Sequence, residues 1–174
     1  MSEISNFPVI MNERILLRQL SIDDKNEIFE LRSETLVNRY LDRAPCLTVE
    51  DAQSFIHTIN EYIKNGNALY WAITVPPSNS VVGTICLFDF STEKNTCEIG
   101  YELQVKHHGK GIMKDAIRLV IDHAFQMLKV EKIFAASHCQ NHPSTRLLLL
   151  SGFVPCTPHE TEKSELEFYV LYRI

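Results

Sequence analysis

The sequence lacks the segments that usually divide, export or anchor a chain. Its 174 residues contain no internal repeat, no low-complexity tract and no linker rich in Pro, Gly and Ser. Residues 1–12 have neither the charged n-region nor the apolar h-region of a signal peptide. The apolar run at 146–154 is much shorter than a membrane span. We therefore expect residues 1–174 to form a single domain with no membrane partner.

The sequence also lacks a disulfide pattern. Its cysteines number five, which is odd, and they are scattered at Cys46, Cys86, Cys97, Cys139 and Cys156. Such a set without an export signal is typical of reduced thiols in a cytoplasmic protein.

A metal-binding motif is incomplete. His138, Cys139 and His142 lie close together in H-C-Q-N-H, but a structural zinc site needs four ligands at recognisable spacings. Because no matching Cys/His pair stands elsewhere, we interpret this segment as a loop after a strand and expect no metal. Cys97 is interpreted as a packed strand residue rather than a nucleophile.

An excess of basic residues is missing as well. The formal net charge is −5, which argues against nucleic acid as a partner. Hydrophobic residues make up 45% of the chain, enough for one well-packed core. A local basic cluster can still bind a small anion, and the sequence contains one.

The hydrophobic pattern predicts early helices, then a meander of strands, then β-α-β-α-β. The segment T-V-E-D is a capping box that starts a helix at Thr48 and carries it to about Lys64. Predicted strands are 13–19, 69–75, 81–88, 96–103, 132–136 and 167–174, and further predicted helices begin near 21–24 and span 111–128 and 143–150. The fold class is therefore α/β in the broad sense (α+β), a mixed sheet with a three-stranded antiparallel portion and flanking helices.

The basic cluster lies in V-K-H-H-G-K-G-I-M-K, residues 105–114, where a helical pattern begins. Helix N-terminal N–H groups have no intrahelical partner and carry partial positive charge, so they bind anions. Gly109 and Gly111 let a phosphate approach the backbone without a Cβ in the way. The spacing matches neither a P-loop nor a Rossmann fingerprint. The alternative is a solvated turn that uses glycine only for its geometry.

This segment resembles motif A, [Q/R]-x-x-G-x-[G/A], of the GNAT superfamily of acetyl-CoA-dependent N-acetyltransferases. It departs from the motif at both ends, since His108 stands for Gln/Arg and Met113 for a small residue. Two further segments are similar to the ribosomal-protein acetyltransferase branch (RimJ/RimL type): E-R-I-L-L-R-Q-L at 13–20 and C-E-I-G-Y-E-L at 97–103. The segment N-H-P-S-T-R-L-L-L-L-S-G-F at 141–153 is similar to the family's N-x-x-S-x-x-x-x-x-x-x-G-F element. The resemblance spans almost the whole chain in the family's order.

The resemblance implies the GNAT acyl-CoA N-acyltransferase fold, with a splayed strand at 96–103 and acetyl-CoA between it and the next strand. It implies that the pyrophosphate meets backbone N–H groups of His108, Gly109, Lys110, Gly111, Ile112 and Met113. The pantetheine arm is then expected to pair with backbone near Tyr101 and Leu103, and Asn141 to orient a pantetheine amide. Homodimers are common in the family.

The resemblance also implies catalytic roles. An α-amine with a pKa of about 7.7–8.0 must lose a proton before attack, and Glu98, just before I-G-Y, is the first candidate base. Glu102 and Glu167 are fallbacks, and the alternative is that Glu98 is a solvent-facing strand residue. Many relatives place a tyrosine at the position of Leu148; the RimJ/RimL branch instead has a serine, here Ser144, expected to hydrogen-bond the CoA thiolate.

Helix-start chemistry is the competing interpretation for two of these residues, since Asn141 and Ser144 flank a predicted helix N-terminus. The implied activity is acetyl transfer to a primary amine, and the RimJ/RimL resemblance points to a protein N-terminal α-amino group. Polyamines, aminoglycosides, another acyl-CoA donor and a non-catalytic CoA-binding module stay open. The loop at 39–47 is expected to set the acceptor.

Overall fold

The protein is organised around one eight-stranded sheet. The computed structural model describes residues 7–157 and 165–174. The strand order across the sheet is β1-β2-β3-β4-β5-β6-β8-β7. The strands are β1 (Ile10–Met11), β2 (Leu16–Gln19), β3 (Ala68–Thr74), β4 (Val81–Ser91), β5 (Thr96–Leu103), β6 (Lys132–His138), β7 (Val154–Cys156) and β8 (Leu166–Tyr172).

Five helices flank this sheet in the described residues. They are α1 (Lys25–Ser33), α2 (Thr35–Asn38), α3 (Val49–Lys64), α4 (Ile112–Gln126) and α5 (His142–Leu150). The predicted capping box is present: the Thr48 side chain accepts from the N–H of Asp51, whose carboxylate accepts from the N–H of Thr48. None of these helices is both long and apolar enough to cross a membrane.

The antiparallel part of the sheet is larger than predicted. Strands β1 to β5 pair with one another in series, each antiparallel to the next, so five strands rather than three form this portion. β5 and β6 are parallel, and β8 returns antiparallel between β6 and β7. The short strands β1 and β7 were not predicted, because two or three residues carry no readable alternation. β2 begins at Leu16 rather than at residue 13.

Apolar cores cover both faces of the sheet. One core contains Trp71 and the buried face of α4. The other contains Tyr70 and the buried faces of α1 and α3. Consecutive residues of β3 point to opposite faces, so this strand is buried along its whole length. The predicted mixed sheet with flanking helices is therefore confirmed.

The strand pair β5–β6 separates after three residues. Pairing is limited to Thr96, Cys97 and Glu98 on β5, although β5 continues to Leu103 and β6 to His138. The remaining halves of the two strands diverge and leave a groove, called here the splay groove, between residues 99–103 and 135–138. The expected splay of strand 96–103 is thus present.

Candidate active site

The glycine-rich turn leads directly from the splayed strand into α4. A 3₁₀ turn (Val105–His107) follows β5, and α4 begins at Ile112. Gly109 and Gly111 have φ of 72° and 78°, a left-handed conformation that other L-residues adopt only at a cost. The two glycines therefore shape the turn that exposes the N-terminus of α4.

The backbone of this turn forms an anion-binding arrangement. The first helical hydrogen bond is donated by Asp115 N–H to the Gly111 carbonyl. Within the described chain, no group accepts from the backbone N–H groups of residues 109–114. Six successive free donors at a helix N-terminus suit a phosphate or pyrophosphate.

The basic side chains of the cluster are mostly engaged or neutral. The His108 ring Nε2 lies 2.8 Å from the Leu103 carbonyl, and Lys106 Nζ lies 2.8 Å from Glu30 Oε1. Burial, with the nearby Lys110 charge, lowers the pKa of His107. Lys110 and Lys114 form no ion pair within the described chain, so they supply the positive charge at the turn.

An arginine from the start of the chain braces the same turn. Arg14 donates from Nη2 to the Lys110 carbonyl at 2.5 Å and from Nη1 to Asp115 Oδ2 at 2.8 Å. A Cβ built on Gly111 would lie 3.2 Å from Arg14 Nη1. Sequence reasoning missed this residue, because its partners lie about a hundred positions away.

Two hydroxyls meet across the splay groove. The Tyr101 hydroxyl lies 3.0 Å from Ser144 Oγ at the start of α5, and burial raises the pKa of Tyr101 to about 12. The Asn141 side chain accepts from the Ser144 N–H at 3.3 Å and caps α5. The predicted site residues Tyr101, Asn141 and Ser144 are thus brought together, although only the backbone of Tyr101 was expected to take part.

Glu98 is half-buried at the point where β5 and β6 separate. Burial, and secondarily the charge of Asp89, raise the pKa of its carboxyl group. Glu98 makes no ion pair with any described residue. A carboxylate with a raised pKa and no cationic partner has the properties of a general base.

The two fallback bases are occupied. Glu102 is buried and pairs with Arg32, whose Nη1 lies 3.6 Å away, and with Arg43. Glu167 is exposed on β8 and accepts a hydrogen bond from the Tyr169 hydroxyl at 2.8 Å. Because both carboxylate oxygens of Glu102 contact guanidinium groups, Glu98 is the carboxylate that is free to contact a substrate amine.

A cavity of about 350 Å³ lies against β5 on the side of α1 and α3. Its walls include Arg32, Arg43, Phe55, Tyr70, Gly100 and Glu102. Tyr101 also lines it, so this cavity and the splay groove share one residue. The loop at 39–47 contributes Arg43 to its wall.

The H-C-Q-N-H segment forms no metal cluster in the described residues. His138 Nδ1 accepts from the Gln140 N–H at 3.2 Å, and His138 Nε2 lies 3.2 Å from Glu165 Oε2. Both ring nitrogens are therefore used for structure. The described cysteines are free thiols, and Cys97 is buried in the core as expected.

Known proteins have this architecture and are similar to this chain in sequence. The family profile for the acetyltransferase (GNAT) domain matches residues 14–154. The uncharacterized N-acetyltransferase p20 of Bacillus licheniformis is 32% identical over 140 residues, which cover 80% of this chain and 78% of that protein. The crystal structure of a GNAT-family acetyltransferase from Bacillus anthracis superposes with a TM-score of 0.80 at 23% identity, covering 95% of this chain and 98% of that one.

Two relatives are named for different acceptors. The [ribosomal protein uS5]-alanine N-acetyltransferase of Escherichia coli is 29% identical over 105 residues, 58% of this chain and 53% of that protein. The spermidine N(1)-acetyltransferase of Vibrio cholerae is 22% identical over 144 residues, 83% of this chain and 81% of that protein. Both protein and polyamine acceptors therefore occur among the similar proteins.

Proposed function

The chain belongs to the acetyltransferase (GNAT) family and is an acetyl-CoA-dependent N-acetyltransferase, and from this premise we propose how its own residues act and which amine it modifies. Acetyl-CoA supplies an activated thioester. The observation that carries the proposal is the continuity of the splay groove with the turn of free N–H groups at residues 109–114.

The groove and the turn fit the two ends of the donor. The edge of β5 that faces the groove offers backbone groups of Tyr101 and the N–H of Leu103 to the amides of the pantetheine arm, while the Leu103 carbonyl contacts the His108 ring. The turn from His108 to Met113 offers N–H groups to the pyrophosphate, with Lys110 adding charge. Because the Asn141 Oδ1 caps α5, its amide nitrogen is the group that remains to bind a pantetheine carbonyl.

Glu98 is the proposed general base. The acceptor ammonium loses a proton to its carboxylate, directly or through one water, and the free amine then attacks the thioester carbonyl. The raised pKa of Glu98 supports this role, because a base works best with a pKa near the operating pH.

Ser144 and Tyr101 are proposed to stabilise the departing CoA thiolate. A free thiol has a pKa of about 8.5, whereas burial raises the pKa of Tyr101 to about 12. Tyr101 therefore keeps its proton. We assign Tyr101 as the donor in its contact with Ser144 Oγ, which leaves the Ser144 proton free to reach the thiolate sulfur. The pair supplies a hydrogen bond rather than a transferred proton, and solvent or the protonated base completes the cycle.

A protein N-terminal α-amino group of the RimJ/RimL type is the proposed acceptor class. The sequence elements at 97–103 and 141–153 and the similarity to the uS5-alanine enzyme support it. A small-molecule amine is the alternative, supported by the similarity to the spermidine enzyme.

We further propose one domain over residues 1–174, because one sheet includes strands from Ile10 to Tyr172. We also propose a cytoplasmic location, which suits the free thiols.

The test combines thiol release with CoA titration. Acetyl-CoA is incubated with N-terminal peptides, polyamines or aminoglycosides, and free CoA thiol is measured while calorimetry gives the CoA affinity. Thiol release with one acceptor class supports transfer and names that class. CoA binding without thiol release on any acceptor would favour a non-catalytic CoA-binding module, and absence of CoA binding would overturn the assignment of the turn.

A further inference from the structure

Two arginines contact one carboxylate at the wall of the cavity of about 350 Å³ beside β5. Arg32 comes from α1 and Arg43 from the loop before α3, and both form ion pairs with Glu102. The exposed fractions of the three side chains are 13%, 21% and 7%. This cluster lies at the cavity wall, on the same face of β5 as Gly100 and Glu98.

The charges of this cluster do not balance. Glu102 carries one negative charge against two guanidinium charges. Cys86 and Tyr70 also line the cavity, but burial raises the pKa of Cys86 to about 12 and raises that of Tyr70, so both stay neutral at pH 7. Asp42 at the cavity wall is exposed and forms no ion pair within the described residues. The buried part of the cavity therefore holds one surplus positive charge.

One guanidinium also has unused hydrogen-bonding capacity. Arg32 Nε is buried and has no acceptor among the described residues, while its guanidinium stacks over the Phe55 ring at 3.8 Å. Arg43 Nη2 contacts Glu102 as an ion pair without hydrogen-bond geometry. A buried donor without a partner is costly, and a planar guanidinium is suited to a carboxylate. These two nitrogens have almost no accessible surface, so the exposed parts of the Arg32 and Arg43 side chains face the cavity, and their charge suits an anionic group.

We infer that the acceptor amine belongs to a molecule with a carboxylate, and that Arg32 and Arg43 bind this carboxylate while the amine faces Glu98. The inference rests on the proposed function of the site and names its substrate class. Along β5, Glu102 is two residues from Gly100 and four from Glu98, or about 7 and 13 Å. The carboxylate and the amine are therefore about two to four residues apart, which fits a dipeptide or a peptide with an acidic side chain near its N-terminus and not a single free amino acid. A polyamine would add positive charge beside two arginines and is disfavoured.

Matched acceptor pairs test the inference. The pairs are alanyl-glycine and alanyl-glycinamide, and aspartyl-glycinamide and asparaginyl-glycinamide, with glycine as the contrast that is too short and spermidine as the cationic contrast. Binding is measured by calorimetry with and without CoA, and thiol release gives kcat/KM. We expect at least one carboxylate member to exceed its amide by about tenfold or more, the effect of one charge-assisted hydrogen bond. The pair that discriminates tells a free carboxylate from an acidic side chain.

Variants locate the effect. Arg43→Gln should abolish the preference for the carboxylate member, and Glu102→Gln should strengthen it, because less of the arginine charge is neutralised internally. Arg118→Gln, an exposed arginine on α4, should leave the preference unchanged, and circular dichroism checks that each variant is folded. Equal binding within every pair, no binding by any member, or a preference that survives Arg43→Gln would overturn the inference. Because binding is also measured without CoA, this outcome is independent of the CoA-binding and thiol-release test of the proposed function.

Discussion

The Tyr101 hydroxyl lies 3.0 Å from Ser144 Oγ, and this contact joins the splayed strand β5 to the N-terminus of α5. The Asn141 cap holds the Ser144 backbone from the other side. The helix-start and catalytic interpretations of Ser144 are therefore compatible, because the same turn that begins the helix holds the hydroxyl at the groove. In the proposed mechanism, these two hydroxyls take the place of the tyrosine that many relatives have at the position of Leu148.

Ser144→Ala should lower kcat by about 10- to 100-fold, the effect of losing a hydrogen bond to a charged group, while CoA affinity changes little. Tyr101→Phe should have a smaller effect, and the double variant should be no worse than Ser144→Ala, since the residues act as one unit. Steady-state thiol release and CoA calorimetry measure both quantities. Ser151→Ala at the other end of α5, where Oγ bonds the Leu147 carbonyl, is the control. An unchanged kcat in Ser144→Ala would contradict the role.

The pH dependence of kcat/KM should report Glu98. A general base must be deprotonated, so activity falls as the pH drops through its pKa, and the raised pKa of Glu98 places this acidic limb at higher pH than for an ordinary glutamate. Asp89→Asn removes a nearby negative charge, which lowers the pKa of Glu98 and moves the limb to lower pH. The shift should be partial, because burial is the larger cause.

Glu98→Gln supplies the decisive comparison for that profile. It should lower kcat/KM and remove the acidic limb, with CoA affinity unchanged. Asn is tolerated at the positive φ of 52° that Asp89 adopts, so Asp89→Asn should stay folded. A limb that remains in place in Glu98→Gln would assign it to another group.

Gly111→Ala should weaken CoA binding by about tenfold or more, because at least one phosphate hydrogen bond is lost. A side chain at φ of 78° is strained, and its Cβ would press on Arg14 Nη1 at 3.2 Å. Gly66→Ala is the matched control, since Gly66 has φ of 73° with no atom within 4 Å of the added Cβ. Both variants should lose about 1–2 kcal/mol of unfolding free energy. Denaturant unfolding and CoA calorimetry separate the effects, and equal CoA affinity in the two variants would contradict the prediction.

The fold was largely predictable because its long elements carry strong patterns. The polar–apolar alternation of β5 and the helical spacing of apolar residues in α4 each repeat several times. The start of α3 is marked instead by the capping box that begins at Thr48. Strands β1 and β7 were not predictable, since their pairing depends on a neighbour already being in place.

The candidate site was predictable only where its residues lie in one segment. The turn with Gly109 and Gly111 is local, so its anion-binding geometry could be expected from the sequence. The Arg32–Glu102–Arg43 cluster and the Arg14 brace join distant segments, and a single sequence contains no record of those contacts. The resemblance to a family predicted the donor side of the site, whereas the contacts on the acceptor side are seen only in the folded structure.

Arg14 should matter for CoA affinity although it lies outside the glycine motif. Its guanidinium binds the Lys110 carbonyl and the Asp115 carboxylate at once, which fixes the peptide whose N–H belongs to Gly111. Arg14→Lys can hold only one of these partners, because an ammonium is a point charge rather than a fork. Both Arg14→Lys and Arg14→Ala should therefore weaken CoA binding. For Arg14→Ala we expect a loss of about threefold to tenfold, the effect of one ordinary hydrogen bond, with kcat at saturating acetyl-CoA unchanged.

The Arg14 side chain is 55% exposed, so thermal stability should change little. Arg118→Ala, an exposed arginine on α4, controls for the loss of a positive charge, and CoA affinity equal to the parent in Arg14→Ala would show that the turn holds its shape without the brace.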